Sequence, residues 1–187
     1  MPQIFNLSAT LNASRILYNP AICLPHFTVK SFDQLTIPLQ IPNYPNVRIK
    51  GIVLDKDNCF AKDHDDKVWP DNSAGTDDDI DSKQAQILEC KTGVNVLRHS
   101  VKKPGCIDEI KSYFAKLGIK PSEIVVIGDR LFTDMLMANM MGSWGCWIST
   151  GVELSNKVFP TLERGLYNKL VTNKPGNPWT PPTPPSS

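Results

Sequence analysis

The chain has 187 residues, a formal net charge of +1 and nearly equal numbers of acidic and basic side chains. This length fits one domain with a sizeable core, and the balanced charge argues against the one-sided electrostatic field of a general nucleic-acid binder. Five cysteines are scattered without a CxxC pair, which argues against a disulfide framework or a structural zinc site and predicts reduced thiols in an intracellular compartment. No apolar run reaches the roughly 18 residues that a membrane-spanning helix needs.

Residues 1–45 are predicted to form an amino-terminal segment of their own. The first 32 residues contain no Asp or Glu, and their apolar side chains lie near one helical face. Two interpretations stay open for this segment. It either faces a membrane surface, with a weak likeness to organelle-targeting sequences, or forms a helix that packs on its own domain.

From residue 49 onward, strand-like and helix-like segments alternate, which predicts a parallel sheet covered by helices. The predicted strands are RIKGIVLD (48–55), VNVLRH (94–99), EIVVIGD (123–129) and SWGCWIS (143–149). The predicted helices are IDSKQAQILECKTG (80–93), GCIDEIKSYFAKLG (105–118) with Pro104 at its first turn, LFTDMLMANMMG (131–142) and a broken NKVFPTLERGLYNKLV (156–171). The fold class is therefore α/β, a Rossmann-like parallel sheet with helices on both faces, within a domain of residues 46–172.

The end of the chain has a different composition. Residues 173–187 are rich in proline and cannot build a core, so they are predicted to be a disordered tail. The alternative is a polyproline ligand for a partner module.

Aspartates follow two of the predicted strands. Asp55 and Asp57 stand two apart in VLDKD, while Asp129 and Asp134 belong to VIGDRLFTD. Reactive groups of α/β sheets gather beyond the carboxyl ends of the strands, so both motifs address one crevice. Several carboxylates that converge without a cation would repel one another, which predicts a hard divalent ion. Mg²⁺ suits such oxygen ligands best.

A metal-bound carboxylate cluster suits phosphoryl transfer, because the cation screens the repulsion between a carboxylate nucleophile and a phosphate dianion. Asp55 is predicted to attack phosphorus and to carry an aspartyl phosphate. Asp57 is predicted to give a proton to the leaving alcohol and later to take one from the hydrolytic water. Lys103 stands just before a predicted helix, where its charge can contact the phosphate oxygens.

These motifs, LDKDN, KKPG and GDRLFTD in this order, resemble those of the haloacid dehalogenase-like phosphatase superfamily. Longer stretches, among them VLDKDNC, HDDKVWPD, GVNVLRHSVKKPGC and VIGDRLFTDMLMANMMGSWGCWI, resemble the mitochondrial phosphatidylglycerophosphatases of fungi. The resemblance implies hydrolysis of phosphatidylglycerophosphate to phosphatidylglycerol and phosphate, a step of cardiolipin biosynthesis. It places the chain at the matrix side of the mitochondrial inner membrane, with peripheral membrane contact through the amino-terminal segment and a phospholipid substrate.

The same resemblance implies a ligand set for Mg²⁺. The Asp55 carboxylate, the Asp57 backbone carbonyl and Asp129 would hold the ion, and Asp134 would support that shell. The expected substrate-binding residues are Ser73, Arg98, His99 and Arg130.

The chain departs from the family pattern after Asp71. Family members carry there a helix and an apolar strand that ends in a Ser or Thr, whose hydroxyl contacts the transferring phosphate. Here Asp71 is followed directly by NSAGT, which leaves Ser73 or Thr76 as the nearby hydroxyls. Either the sheet lacks one strand through a deletion after Asp71, or residues have been omitted from the sequence.

Two rival functions stay open beside the lipid phosphatase. One is a soluble phosphatase that acts on a small phosphate ester. The other is a catalytically impaired, membrane-associated binding protein, which the missing strand makes plausible.

Overall fold

The computed structural model describes residues 15–16, 18–36, 38–59, 97, 102–151, 158–169 and 179–185. Within these ranges the strands are β1 (Phe27–Val29), β2 (Gly51–Leu54), β3 (Ile124–Gly128) and β4 (Trp144–Ile148). The helices are α1 (Ile107–Lys116), α2 (Leu136–Met141), which continues from a π-helical turn at Leu131–Met135, and α3 (Val158–Tyr167). Short 3-10 turns lie at Pro20–Cys23, Phe32–Gln34 and Pro121–Glu123.

The four strands form one parallel sheet in the order β1-β4-β3-β2. β3 reads IVVIG and is buried along its whole length, as expected for a β-branched strand that is covered on both faces. The predicted α/β class and parallel sheet are confirmed. The strands predicted around residues 48–55, 123–129 and 143–149 are present as β2, β3 and β4, each slightly shorter than its sequence pattern.

Alternate side chains of β3 face two separate hydrophobic clusters. Ile124 and Val126 pack with apolar side chains of α1 and α2. Val125 and Ile127 pack with β4 side chains on the other face, which the chain between residues 32 and 49 covers. The two-residue alternation of a strand thus accounts for both layers of the core.

The described part of residues 1–45 is integrated into the domain and does not stand apart from it. β1 extends the sheet beyond β4, with Phe27 opposite Cys146. Ile16, Cys23 and Leu136 form a further buried cluster. The domain boundary expected near residue 45 is therefore not seen, because β1 hydrogen-bonds into the sheet. A three-residue edge strand is too short for its periodicity to be recognised in the sequence.

Two further expectations differ from the structure. Pro104 does not begin α1, which starts at Ile107; Pro104 lies in the turn before it, where the Gly105 N–H donates to the Lys102 carbonyl over 2.9 Å. The described part of the proline-rich tail packs on the domain, with Pro184 buried. The tail lacks apolar residues for a core of its own, but it adds to an existing surface.

The predicted helix at 80–93 lies outside the described residues, as does the strand at 94–99 apart from Leu97. So does the junction after Asp71. The cysteines in the described ranges are all buried free thiols. Among the residues that the structure describes, no helix is long and apolar enough to cross a membrane.

Candidate active site

Two neighbouring parallel strands place aspartates at the same edge of the sheet. Leu54 of β2 is opposite Ile127 of β3, and the residue that follows β2, Asp55, donates its backbone N–H to the Ile127 carbonyl over 2.8 Å. Asp129 follows the end of β3, and Asp134 lies in the π-helical turn before α2. Asp55, Asp129 and Asp134 each offer one carboxylate oxygen, and these oxygens lie within 4.8 Å of one another.

The position of Asp134 depends on the loop from residue 129 to residue 134, here called the aspartate loop. The Asp134 side chain is fully buried, and its Oδ2 accepts the Arg130 backbone N–H over 3.1 Å. A Cβ at Gly128 would lie 2.3 Å from this same oxygen. Only glycine at this position leaves room for the carboxylate, which explains the glycine in GDRLFTD.

Lys103 links Asp55 to Asp134 through its ammonium group. Its Nζ donates to Asp134 Oδ1 over 2.8 Å and also hydrogen-bonds Asp55 Oδ1. Burial acts to lower the pKa of Lys103, but the charges of Asp134 and Asp55 and the hydrogen bonds to them outweigh it and hold this pKa well above its usual value. The side chain therefore remains a cation at the centre of the cluster.

Asp129 has fewer compensating contacts. Among the described residues its Oδ2 accepts one side-chain hydrogen bond, from Asn58 Nδ2 over 3.0 Å. Burial, followed by the charges of Asp55 and Asp134, raises the pKa of Asp129 to about 8. Burial and the Asp55 charge likewise raise the pKa of Asp134 to about 6, against the opposing effect of Lys103. Three anionic carboxylates are thus unfavourable here without a further positive charge, and their oxygen-only donor set fits a hard divalent cation.

Asn58 is a site residue to which the sequence analysis gave no role. It belongs to LDKDN, is buried, and has a positive φ of 55° that brings its amide over Asp129. Gly151, after β4, lies against it with a φ of +69°, and a Cβ at Gly151 would lie 2.3 Å from the Asn58 carbonyl oxygen. The asparagine that directly follows the strand-end DxD and a glycine after β4 are the signals that could have indicated this contact.

Asp57 is separate from the three clustered carboxylates. Its Oδ1 lies 3.0 Å from Lys56 Nζ, and the side chain is 32% exposed. The Asp57 carboxyl is therefore half-buried and lies outside the cluster of Asp55, Asp129 and Asp134.

Arg130, expected to contact substrate, is paired within the protein. Its Nε and Nη2 donate to Glu163 Oε2 and Oε1 over 2.9 and 3.2 Å. Glu163 is only 1% exposed and also accepts the Phe132 backbone N–H over 3.2 Å. It therefore anchors the aspartate loop to α3. The sequence signal for Glu163 is an acid on the buried face of a helix, three residues after the buried Pro160.

The remaining substrate-binding candidates, Ser73, Arg98 and His99, lie outside the described residues.

Comparison with known proteins identifies a family. The family model for mitochondrial PGP phosphatase matches residues 7–72 and 71–153, two parts that meet at residues 71–72. The mitochondrial phosphatidylglycerophosphatase of Saccharomyces cerevisiae is 47% identical over 188 residues, covering 88% of this chain and 98% of that protein. The probable mitochondrial phosphatidylglycerophosphatase of Schizosaccharomyces pombe is 29% identical over 204 residues, covering 92% and 96%.

A plant relative, the chloroplastic/mitochondrial phosphatidylglycerophosphate phosphatase 1 of Arabidopsis thaliana, is 33% identical over 153 residues, which cover 70% of this chain and 42% of that protein. No solved structure matches the chain. Both yeast alignments run over more positions than the 187 residues available here, so parts of each yeast protein have no counterpart in this chain. On the family match and the identity to the budding-yeast protein, the chain belongs to the mitochondrial PGP phosphatase family.

Proposed function

We propose that the chain hydrolyses phosphatidylglycerophosphate to phosphatidylglycerol and phosphate through an aspartyl-phosphate intermediate on Asp55. The observation that carries the proposal is the set of three carboxylates, two of them at parallel strand ends and the third in the π-helical turn, with Lys103 between Asp55 and Asp134. The yeast and plant relatives are named phosphatidylglycerophosphatases or phosphatidylglycerophosphate phosphatases, which supports the substrate and the hydrolysis.

The reaction divides into two transfers at phosphorus. In the first, an oxygen of Asp55 forms a bond to phosphorus, the bond from phosphorus to the glycerol oxygen breaks, and the Asp57 carboxyl gives its proton to that oxygen. In the second, Asp57 takes a proton from water as the water oxygen attacks phosphorus. The bond from phosphorus to Asp55 then breaks, and the carboxylate is restored.

The half-buried side chain of Asp57 suits this proton transfer, because part of it remains accessible to solvent. Within the described residues, Asp57 does not share the contacts to Lys103 that hold Asp55, so it is the carboxyl proposed to exchange protons with the leaving alcohol and the incoming water. Lys103 holds the Asp55 carboxylate in place and supplies a fixed positive charge where the phosphoryl oxygens arrive.

The cation that the carboxylates call for is proposed to be Mg²⁺. The Asp55 carboxylate, the Asp57 backbone carbonyl and Asp129 would hold it, supported by Asp134. When bound, it supplies the positive charge that lets an anionic nucleophile approach a phosphate dianion. Asn58 and the Trp147 indole, which donates to the Asp129 carbonyl over 2.9 Å, fix the Asp129 ligand in position.

A site of action follows from the substrate. We propose peripheral association with the matrix side of the mitochondrial inner membrane, because the substrate is a phospholipid and the yeast relatives are named mitochondrial. Binding to vesicles that contain anionic phospholipid, compared with neutral vesicles, tests this association. A chain that binds neither the anionic nor the neutral vesicles would contradict it.

The substrate class is tested by competition between lipid and soluble esters. Phosphate release is measured with phosphatidylglycerophosphate in detergent micelles and with glycerol phosphate at equal concentration, both with Mg²⁺. A clear preference for the micellar lipid is expected. Preference for the soluble ester would replace the lipid assignment by that of a small-molecule phosphatase.

A second candidate function rests on the divided family match. Two matched parts that meet at residues 71–72 support the interpretation that a family segment is missing at that junction, together with its phosphate-binding hydroxyl. A chain without that hydroxyl would bind metal and substrate but turn over slowly. Phosphate release that requires Mg²⁺ and disappears in Asp55→Asn would exclude a purely binding role. The mass of the natural polypeptide decides whether the segment is absent.

A further inference from the structure

Three aromatic rings lie together at the amino ends of the strands, the opposite edge of the sheet from the carboxylates. His26 precedes β1, Tyr44 precedes β2 and Trp144 begins β4. The ring centroids of His26 and Trp144 are 4.9 Å apart, and those of Tyr44 and Trp144 are 4.8 Å apart. These three residues are called the aromatic groove below.

The groove is held in place by hydrogen bonds to the backbone. Trp144 is buried and its Nε1 donates to the Ser122 carbonyl over 2.9 Å. His26 Nδ1 accepts the Gly145 N–H over 2.9 Å, so the ring proton of neutral His26 is on Nε2. Burial lowers the pKa of His26, which keeps the ring neutral at pH 7. The Trp144 and His26 rings are therefore each fixed by a hydrogen bond to the backbone of the domain.

The carboxy-terminal PPTPP sequence, residues 181–185, lies on this groove. His26 Nε2 donates to the Pro182 carbonyl over 3.0 Å, and the Tyr44 hydroxyl is 3.3 Å from Thr183 Oγ1. Pro184 is buried, Pro181 is half-buried, and the three other residues of the sequence are exposed. Burial that recurs after three residues is the pattern of a polyproline II helix, which has three residues per turn.

The chemistry of the groove matches this ligand. A polyproline II segment has no internal hydrogen bonds, so its carbonyls need outside donors, and its proline rings pack well on aromatic faces. His26 and Tyr44 each combine a ring with a polar hydrogen at its edge. Because proline restricts the unbound segment, little conformational entropy is lost when it docks.

We propose that the aromatic groove is a binding site for polyproline II segments and that its occupant is the tail of the same chain. The tail lies after residue 153, where the family match ends. The groove is also at the opposite sheet edge from Asp55, Asp129 and Asp134. This site is therefore separate from the proposed phosphatase chemistry.

Occupation of the groove can be tested with a fluorescent peptide of residues 177–187 and full-length chains. Pro184→Asp is designed to free the groove by placing a charge at the buried proline. Thr180→Asp puts the same charge on an exposed tail residue and serves as the control. A tethered tail acts at an effective concentration on the order of millimolar, so the free peptide should bind Pro184→Asp at least about tenfold more tightly than wild type or Thr180→Asp.

The location is tested by adding Tyr44→Ala to the Pro184→Asp chain, which should abolish peptide binding. If that chain is unstable in a thermal melt, Tyr44→Phe keeps the ring and removes only the hydroxyl beside Thr183. It should weaken peptide binding about two- to tenfold. The proposal is overturned if the peptide does not bind Pro184→Asp, or if it binds wild type as tightly as Pro184→Asp. Undiminished peptide binding in the Tyr44 variants would mean that the peptide binds elsewhere, and it would also overturn the proposal.

Sedimentation equilibrium distinguishes the chain's own tail from that of a second copy. Wild type and Pro184→Asp should both sediment as the 20.8 kDa monomer. A wild-type dimer that dissociates in Pro184→Asp would overturn the assignment of the groove to its own tail. Phosphatase activity should be equal in Pro184→Asp, Thr180→Asp and wild type, because none of the changed residues belongs to the active site.

Discussion

Replacing Glu163 by Gln tests whether α3 holds the aspartate loop in its active geometry. Glu163 accepts three hydrogen bonds from that loop, two from the Arg130 guanidinium and one from the Phe132 N–H. Glutamine has nearly the same shape but no charge, and its amide NH₂ would face a guanidinium that can only donate. At least one hydrogen bond is therefore lost, together with the charge attraction.

The expected loss of stability follows from the burial of the pair. Removing one partner of a buried ion pair costs about 3–5 kcal/mol. The Arg130 side chain is 32% exposed, so water can solvate part of its charge, and the loss should be smaller, about 2–3 kcal/mol. In a chain of this size that corresponds to a fall in melting temperature of roughly 5–10 °C.

The functional consequence is read from Mg²⁺ affinity. Arg130 donates its backbone N–H to Asp134, so a loosened loop should misplace the carboxylates and weaken Mg²⁺ binding about 10- to 100-fold. Titration calorimetry measures the affinity, and thermal melts measure the stability. Glu123→Gln is the matched control, since Glu123 pairs with Lys50 on the surface over 2.6 Å and its loss should leave Mg²⁺ affinity unchanged. A Glu163→Gln chain that loses stability but keeps wild-type Mg²⁺ affinity would refute the positioning role.

Three further predictions concern the carboxylate cluster. In the metal-free chain the pKa of Asp129 is about 8 when folded, against an ordinary 3.8, so the folded state binds more protons between these values and its stability falls as pH rises. Melting temperatures should therefore decrease from pH 6 to pH 8, and Asp129→Asn should flatten this slope; an equally steep slope in the variant would contradict the assignment. Gly151→Ala should destabilise the chain by about 1–3 kcal/mol in urea unfolding, because its Cβ meets the Asn58 carbonyl at positive φ, whereas wild-type stability would mean that the contact relaxes freely. Lys103→Met should lower kcat for phosphate release by about 10²–10³-fold, since it removes the cation beside Asp55, and a kcat near that of wild type would remove Lys103 from the mechanism.

The sheet was predictable because its strands carry strong local signals. β3 consists of four β-branched residues and Gly128, and Asp129 follows at once. The strand pattern and the GD motif are therefore adjacent in the sequence and can be recognised together. Asp55 and Asp129 come together because each follows the carboxyl end of a strand, and β2 and β3 are parallel neighbours whose carboxyl ends lie side by side. β1 was missed because three residues at a sheet edge are held by pairing with β4 rather than by their own pattern.

The contacts that the sequence did not predict are tertiary. Glu163 reaches Arg130 across 33 positions of the chain, and no local pattern specifies that pairing. The same is true of the tail, which meets His26 across 156 positions. Arg130 was expected to contact the substrate. Its side chain instead pairs with the buried carboxylate of Glu163, which has no other ion-pair partner within the described ranges.

The central claim is that Asp55 forms the bond to phosphorus. Its most direct test is to quench the reaction with phosphatidylglycerophosphate and Mg²⁺ in borohydride, which reduces an acyl phosphate, and to locate the reduced residue by peptide mass spectrometry. The account predicts reduction at Asp55, dependent on substrate, and no phosphate release from Asp55→Asn. Reduction at another residue, or undiminished release from Asp55→Asn, would contradict it.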